Sequence, residues 1–281
     1  MAFTEAMGRW AEGQICAHYE RQFGCRLPLH RPRSFREKLF ARMVLLHRRR
    51  CRQYTLLSDK LAVRSYVCQT IGTQHLTTIA WAGRDPKAAP LERHREGGWI
   101  AKTNHGCGGH QPICEGDQLP LRMHLHQQLH QNYYWLALEA QYFHIQPQLY
   151  IERLVQGHRQ PEPLNYRLWC FQGRVELIQV DDSSLFNPFY SPSWEPLELS
   201  YRHGIQSSYR CSTPPSLKLM VKLAEALAAP FGFVRVDMYN LAGRIVFGEL
   251  TFTPLAGCLW LQPEAWDTVL GDWWPIPQQN S

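Results

Sequence analysis

Three charged residues stand in a stretch otherwise made for a sheet: Arg235 and Asp237 in FVRVDMY, and Glu249 in FGELTFTP. The two runs alternate like the arms of a β-hairpin around Asn240-Leu241-Ala242-Gly243. Alternation places Arg235, Asp237 and Tyr239 on one face and Val234, Val236 and Met238 on the other. On the second arm it groups Ile245, Phe247, Glu249 and Thr251 against Val246, Gly248, Leu250 and Phe252. A turn of about five residues sets Arg235 opposite Glu249, with Asp237 its diagonal neighbour at roughly 7–8 Å. A cross-strand salt bridge on a wet face accounts for such a set. A seat for Mg²⁺, a hard ion that takes carboxylate oxygens and shares them with phosphate, accounts for it as well.

Upstream, Trp99-Ile100-Ala101-Lys102 reads as a strand running into Thr103-Asn104-His105-Gly106-Cys107-Gly108-Gly109. A lysine at a strand end and a glycine-rich turn make an anion cradle of one ammonium and several backbone N–H groups. The spacing is neither the GxxxxGK[ST] loop nor the GxGxxG dinucleotide pattern. Lys60 follows Ser58-Asp59 at what reads as the capped start of a helix, LAVRSYVCQTIG, closing at Gly72.

The elements that must position these groups alternate in type. Helices are expected over 4–23, from the capping box Ser34-Phe35-Arg36-Glu37, over 119–131 and over 215–228. Strands are expected at 75–81, 99–103 and 147–155, with a hairpin of 165–171 and 174–181 around Gln172-Gly173. Residues 183–215, rich in Pro, Ser and aromatics, read as a long loop or flap, and a Trp-rich tail (Trp260, Trp266, Trp273, Trp274) reads as lid or core packing, with packing at an interface as the alternative. The fold class is α+β with mostly antiparallel sheets.

Composition bounds the rest. The chain has 281 residues, 44% hydrophobic and 19% charged, enough for a real core. No apolar run is long enough to span a membrane, and the N-terminus lacks a basic-then-apolar signal, so a cytoplasmic location is expected. The nine Cys show no CxxC pair and are expected to be reduced and mostly buried; His124 and His126 fall on different helix faces and suggest no metal site. The net charge of +6 has one dense focus, His47 to Arg52, read as a solvated helix end. No nucleic-acid motif accompanies it, and anionic phosphates or acidic sugars account for the charge.

In order, SDKLAVRSYV, WIAKTNHGCGG, LYIERLV, NYRLWCFQG, FVRVDMY and FGELTFTP resemble the TupA-like branch of the ATP-grasp superfamily, over about Ser34 to Gly271. That branch is linked to teichuronopeptide and other cell-surface polysaccharide synthesis. The resemblance implies an N-terminal helical segment (1–57), then an ATP-grasp domain (58–281) of two α+β lobes, 58–150 and 151–281, gripping ATP between antiparallel sheets. It implies that Lys60 and Lys102 meet the α- and β-phosphates and that the loop from Asn104 through Gly106 and Gly108 closes over them. Glu152 and the backbone to Leu154 would meet the adenine edge. Arg235 would steady an acyl phosphate, and Asp237 and Glu249 would hold Mg²⁺, with Thr251 where many relatives carry Asn. Asn165, Arg167 and Cys107 also depart from the branch's usual residues and bear on a ribose or substrate contact. The implied activity is an ATP- and Mg²⁺-dependent carboxylate–amine ligase, acting on a saccharide, peptide or small molecule with a carboxylate and an amine. A kinase or glycosyltransferase, or a non-catalytic nucleotide-binding homologue, is the alternative.

Overall fold

A computed structural model describes residues 5–49, 51–94, 98–106, 108, 111–155, 163–181, 187–200 and 210–275. In chain order, α1 (Glu5–Phe23), α2 (Phe35–Arg49), α3 (Arg52–Ser58) and α4 (Val63–Ile71) lead into β1 (Ile79–Gly83), β2 (Trp99–Thr103) and β3 (Gln111–Pro112). Then come α5 (Leu119–Leu129), α6 (Tyr134–Ala137), α7 (Ala140–Phe143), β4 (Leu149–Arg153), β5 (Asn165–Phe171), β6 (Arg174–Asp181), β7 (Phe189–Tyr190) and β8 (Pro196–Leu197). The chain continues through α8 (Leu217–Ala228), β9 (Phe233–Leu241), β10 (Arg244–Thr251) and α9 (Ala265–Asp272). The capping box at α2 closes reciprocally: Glu37 accepts from the Ser34 N–H at 3.0 Å, and Ser34 Oγ accepts from the Glu37 N–H at 3.3 Å.

The strands form two antiparallel sheets, one of four strands in the order β1-β4-β2-β3 and one of six in the order β10-β9-β5-β6-β7-β8. The α+β class is therefore observed. β4 pairs with both β1 and β2, so a boundary at residue 150 falls inside a strand of the first sheet. Part of the expected 183–215 loop is instead extended, as β7 and β8; residues 182–186 and 201–209 lie outside the described residues.

One face of the large sheet packs on α4 and α8, whose Val67, Met220, Ala224 and Leu227 are fully buried against Leu168, Val234 and Val236. Burying each large apolar side chain there contributes about 1.5–3 kcal/mol. The opposite face is divided. At one end Trp169, Phe171 and Phe233 are covered by Phe35 of α2 and by Trp274, which confirms core packing for that part of the tail. At the other end the same stripe turns charged, through Arg167, Arg235 and Asp237. Of the eight described cysteines only Cys170 is buried, against the expectation, and Cys25, Cys68 and Cys114 are exposed. His47, expected at a solvated helix end, is buried, with its Nδ1 2.7 Å from the Met43 carbonyl. Among the described residues no helix is long and apolar enough to cross a membrane.

Candidate active site

The hairpin β9–β10 departs from the expected register. Leu241 pairs with Arg244, so the turn is only Ala242 (φ 52°) and Gly243 (φ 97°), both left-handed as a two-residue hairpin turn demands. A β-bulge at Gly248 then shifts the ladder, bringing Glu249 opposite Asp237 and Thr251 opposite Arg235. Because the bulge adds one residue to β10, alternation slips there. Ile245 and Phe247 join the core with Leu250 and Phe252, which corrects the expected grouping of Phe247 with Glu249. The bulge residue has to be glycine on steric grounds, since a Cβ would stand 2.9 Å from the Asp237 carbonyl oxygen.

On the charged face Arg235 grips Asp237 with two bonds, Nε to Oδ1 and Nη2 to Oδ2, both 2.7 Å, with both residues buried. The same Nη2 donates to Thr251 Oγ1 at 3.1 Å and lies 3.8 Å from Glu249 Oε1; Thr251 donates to that oxygen at 3.1 Å. Burial raises the Asp237 carboxyl pKa, and Arg235 only partly offsets this. Burial pushes Glu249 in the same direction, but Lys60 and Arg235 outweigh it and hold its pKa at about 2. Tyr239, next on the stripe, is pushed up to about 12 by burial and then by Asp237, Glu249 and Glu152.

The lysines come from β2 of the first sheet and from the turn packed beside it. Lys60 lies in the turn that leads from α3 into α4, where Asp59 caps the chain: its Oδ1 accepts from the Leu61 and Ala62 N–H groups at 2.8 and 3.2 Å, and its carbonyl from the Val63 N–H at 2.9 Å. Its ammonium spans the two sheets, donating to the Gly106 carbonyl at 2.9 Å and facing Glu249 Oε2 at 3.4 Å. Lys102 pairs with Glu152 at 2.7 Å, and Thr77 Oγ1 donates to the other Glu152 oxygen at 2.5 Å. Leu154 donates its N–H to Gly98 at 2.9 Å. Asn104 is fully buried and works as a tie. Its Nδ2 donates to Asp59 Oδ2 (2.9 Å) and to the Gln146 carbonyl (3.1 Å), and its Oδ1 accepts from the Gln148 N–H (2.7 Å). Gly106 and Gly108 turn through left-handed backbone at φ 94° and 78°, which makes the glycines necessary. Cys107 and Gly109 lie outside the described residues.

Lys60, Arg235, Asp237, Glu249 and Thr251 thus form one cluster, while Lys102 and Glu152 form a pair on the facing sheet. Reading along the chain singled out Arg167 for a ribose or substrate contact but missed its place beside the carboxylates: it lies opposite Asp237 in the ladder, 3.8 Å from it, and bonds Asp181. Only cross-strand register reveals that neighbour. It also missed Glu139 and Gln141, near the end of β10, which no periodic pattern marks.

These pairs differ in strength. Lys60–Glu249 is partly exposed, at 23% and 37%, and such a pair nets roughly 0–1 kcal/mol after solvent screening. Arg235–Asp237 is buried, and removing one partner of such a pair costs about 3–5 kcal/mol. The first pair is weak enough for either side chain to change partners; the second is fixed. Among the described residues no three His, Cys, Asp or Glu form a metal cage. Two carboxylates and a hydroxyl do suit Mg²⁺, which takes one or two carboxylates and completes its shell with phosphate and water.

Two antiparallel sheets, a glycine loop beside Lys60 and a hairpin carrying Asp237 and Glu249 together make the arrangement to be compared with known proteins. The chain belongs to the TupA-like ATP-grasp family, whose match covers residues 37–274. No curated protein matches it. Among solved structures it is similar to the D-alanine–D-alanine ligase of Helicobacter pylori (14% identity, 79% of this chain and 59% of that one, TM-score 0.44). It is also similar to the D-alanine–D-alanine ligase of Bacillus anthracis complexed with ATP (15%, 70% and 55%, TM-score 0.40). A third is the macrocyclase MdnC of Microcystis aeruginosa bound with its precursor peptide (12%, 73% and 60%, TM-score 0.38). The chain spans less than two thirds of each of these proteins.

Proposed function

We propose that the chain is an ATP- and Mg²⁺-dependent carboxylate–amine ligase, forming a carbon–nitrogen bond through an acyl phosphate and releasing ADP and phosphate. The observation that carries this reading is the Lys60–Glu249 contact. It joins the phosphate loop of one sheet to the carboxylates of the other. Asp237, Glu249 and Thr251 would hold Mg²⁺, which would neutralise charge on the phosphate oxygens.

Lys60 would give up Glu249 to bind a phosphate oxygen, and Lys102 would do the same from Glu152. Gly106 and Gly108 would offer backbone N–H groups. Glu152 and the backbone to Leu154 would border the adenine, although the Leu154 N–H already has a partner. Arg235, held in place by Asp237, would present positive charge where an oxyanion develops on the carboxylate substrate. The division into a helical segment (1–57) and two lobes, expected as 58–150 and 151–281, belongs to this reading, with β4 through Arg153 kept whole in the first lobe. So do a cytoplasmic setting and a role in cell-surface polysaccharide or polypeptide synthesis.

Hydroxylamine trapping tests the chemistry. ATP, Mg²⁺, hydroxylamine and a panel of amino acids and uronic acids should yield a hydroxamate with at least one carboxylate. Asp237→Asn and Glu249→Gln should each lower ATP turnover by about 100-fold or more. ADP release without hydroxamate would favour a kinase or glycosyltransferase instead, and unchanged turnover in both variants would remove the metal assignment.

A further inference from the structure

Beside the charged cluster lies a cavity of about 440 Å³, within the size range of small-molecule sites. Its apolar walls include Leu46, Tyr54, Leu56 and Ile145; its polar groups include Arg52, Asp59 and Gln141. It borders the phosphate end of the site. Asp59 precedes Lys60, and Gln146, another wall residue, accepts from Asn104 through its carbonyl. Gln141 also lies 3.5 Å from Thr253 Oγ1, just beyond the Thr251 end of β10.

Gln141 is only 3% exposed, and its amide is oriented by one strong contact, Nε2 donating to Glu139 Oε1 at 2.8 Å. Its Oε1 is buried with no hydrogen-bond partner. A buried acceptor left unpaired costs about 1–3 kcal/mol, and native interiors rarely keep one without a use. An ammonium, with three donors and no acceptor, suits this oxygen, and Asp59, which lines the same cavity and already accepts from Leu61, Ala62 and Asn104, adds the negative charge that favours a cation. A phosphate or carboxylate in the same place would be repelled by both. Arg52 is exposed and offers a counter-charge for a carboxylate. The hydrocarbon walls suit an apolar side chain.

We infer that this cavity binds the amine substrate, an α-amino acid with an apolar side chain, with its ammonium on Gln141 Oε1 and Asp59 and its carboxylate toward Arg52. The assignment deepens the ligase reading and rests on it for the word substrate; the binding itself can be measured without turnover. Calorimetry with L-leucine and L-phenylalanine should show saturable binding to the wild-type chain, while N-acetyl-L-leucine, which lacks the ammonium, should not bind. Gln141→Leu, checked for folding by its melting curve, should weaken L-leucine binding by about tenfold or more. Arg52→Ala, at an exposed position, should weaken L-leucine but not 3-methylbutylamine, which has no carboxylate. The assignment is overturned if neither amino acid binds, if the N-acetyl derivative binds as well, or if Arg52→Ala leaves L-leucine affinity unchanged. Should Gln141→Leu fail to fold, the Arg52→Ala and N-acetyl arms decide. Hydroxamate formation by the wild-type chain needs no amino-acid amine. Its failure alongside amino-acid binding would remove the ligase reading and leave the cavity assignment standing.

Discussion

Replacing Gly248 by alanine tests how the two carboxylates come to face each other. The added Cβ would lie 2.9 Å from the Asp237 carbonyl oxygen and 3.4 Å from its carbon, and neither is the end of a flexible side chain. The backbone must open by a few tenths of an ångström. Overpacking of this kind costs about 1–3 kcal/mol. At roughly 2–4 °C per kcal/mol for chains approaching this size, the melting temperature should fall by about 2–12 °C. The strain acts between the two carboxylates, because Gly248 abuts Asp237 and immediately precedes Glu249. Arg235 and Asp237 share β9 and stay together, whereas Glu249 moves away from Lys60. Affinity for a non-hydrolysable ATP analogue with Mg²⁺ should therefore fall beyond the loss of stability, measured by calorimetry well below the melting temperature. Gly13→Ala is the control: nothing lies within 4 Å of its Cβ, and alanine in a helix gains about 0.5–1 kcal/mol over glycine. A Gly248→Ala chain that melts within about 1 °C of wild type and binds the analogue equally well would refute the account of the bulge.

Other consequences can be read with the same instruments. Asn104→Ala leaves the Asp59 carboxylate, the Gln146 carbonyl and the Gln148 N–H without their common partner, so stability should drop by about 2–4 kcal/mol in urea titration; a loss under about 0.5 kcal/mol would show that the tie is dispensable. Burial raises the Glu139 carboxyl to about 8, with only partial relief from Thr253, Gln141 and Arg42. The folded chain then keeps a proton that the unfolded chain releases, so this group costs stability progressively as pH rises from about 4.5 to 8. Glu139→Gln should flatten the decline in melting temperature across that window, and parallel wild-type and variant profiles would contradict the assignment.

Much of the site was legible in the chain because its signals are local. Arg235, Asp237 and Glu249 stand out as charges within apolar alternation, and Lys102 as a lysine running into glycines. The capping box announces α2 through residues within one turn. The reading failed where a single non-local contact overrides periodicity. Glycine within a strand often marks a bulge, but the alternation was carried straight through Gly248; the register with β9 puts the extra residue there, and every residue of β10 before it changes face.

By itself the sequence determined which groups are present and the α+β alternation that carries them, because propensity, capping and two-residue periodicity act over a few residues. Tertiary structure alone decided who meets whom. Lys60 meets Glu249 because the α3–α4 turn, bonded to the loop after β2, converges on the β9–β10 hairpin; Arg167 meets Asp237 through the β5–β9 register; and Gln141 is left with a bare oxygen by packing against Glu139. Those contacts join residues far apart in the chain, so their energies depend on distance and burial that no local pattern encodes.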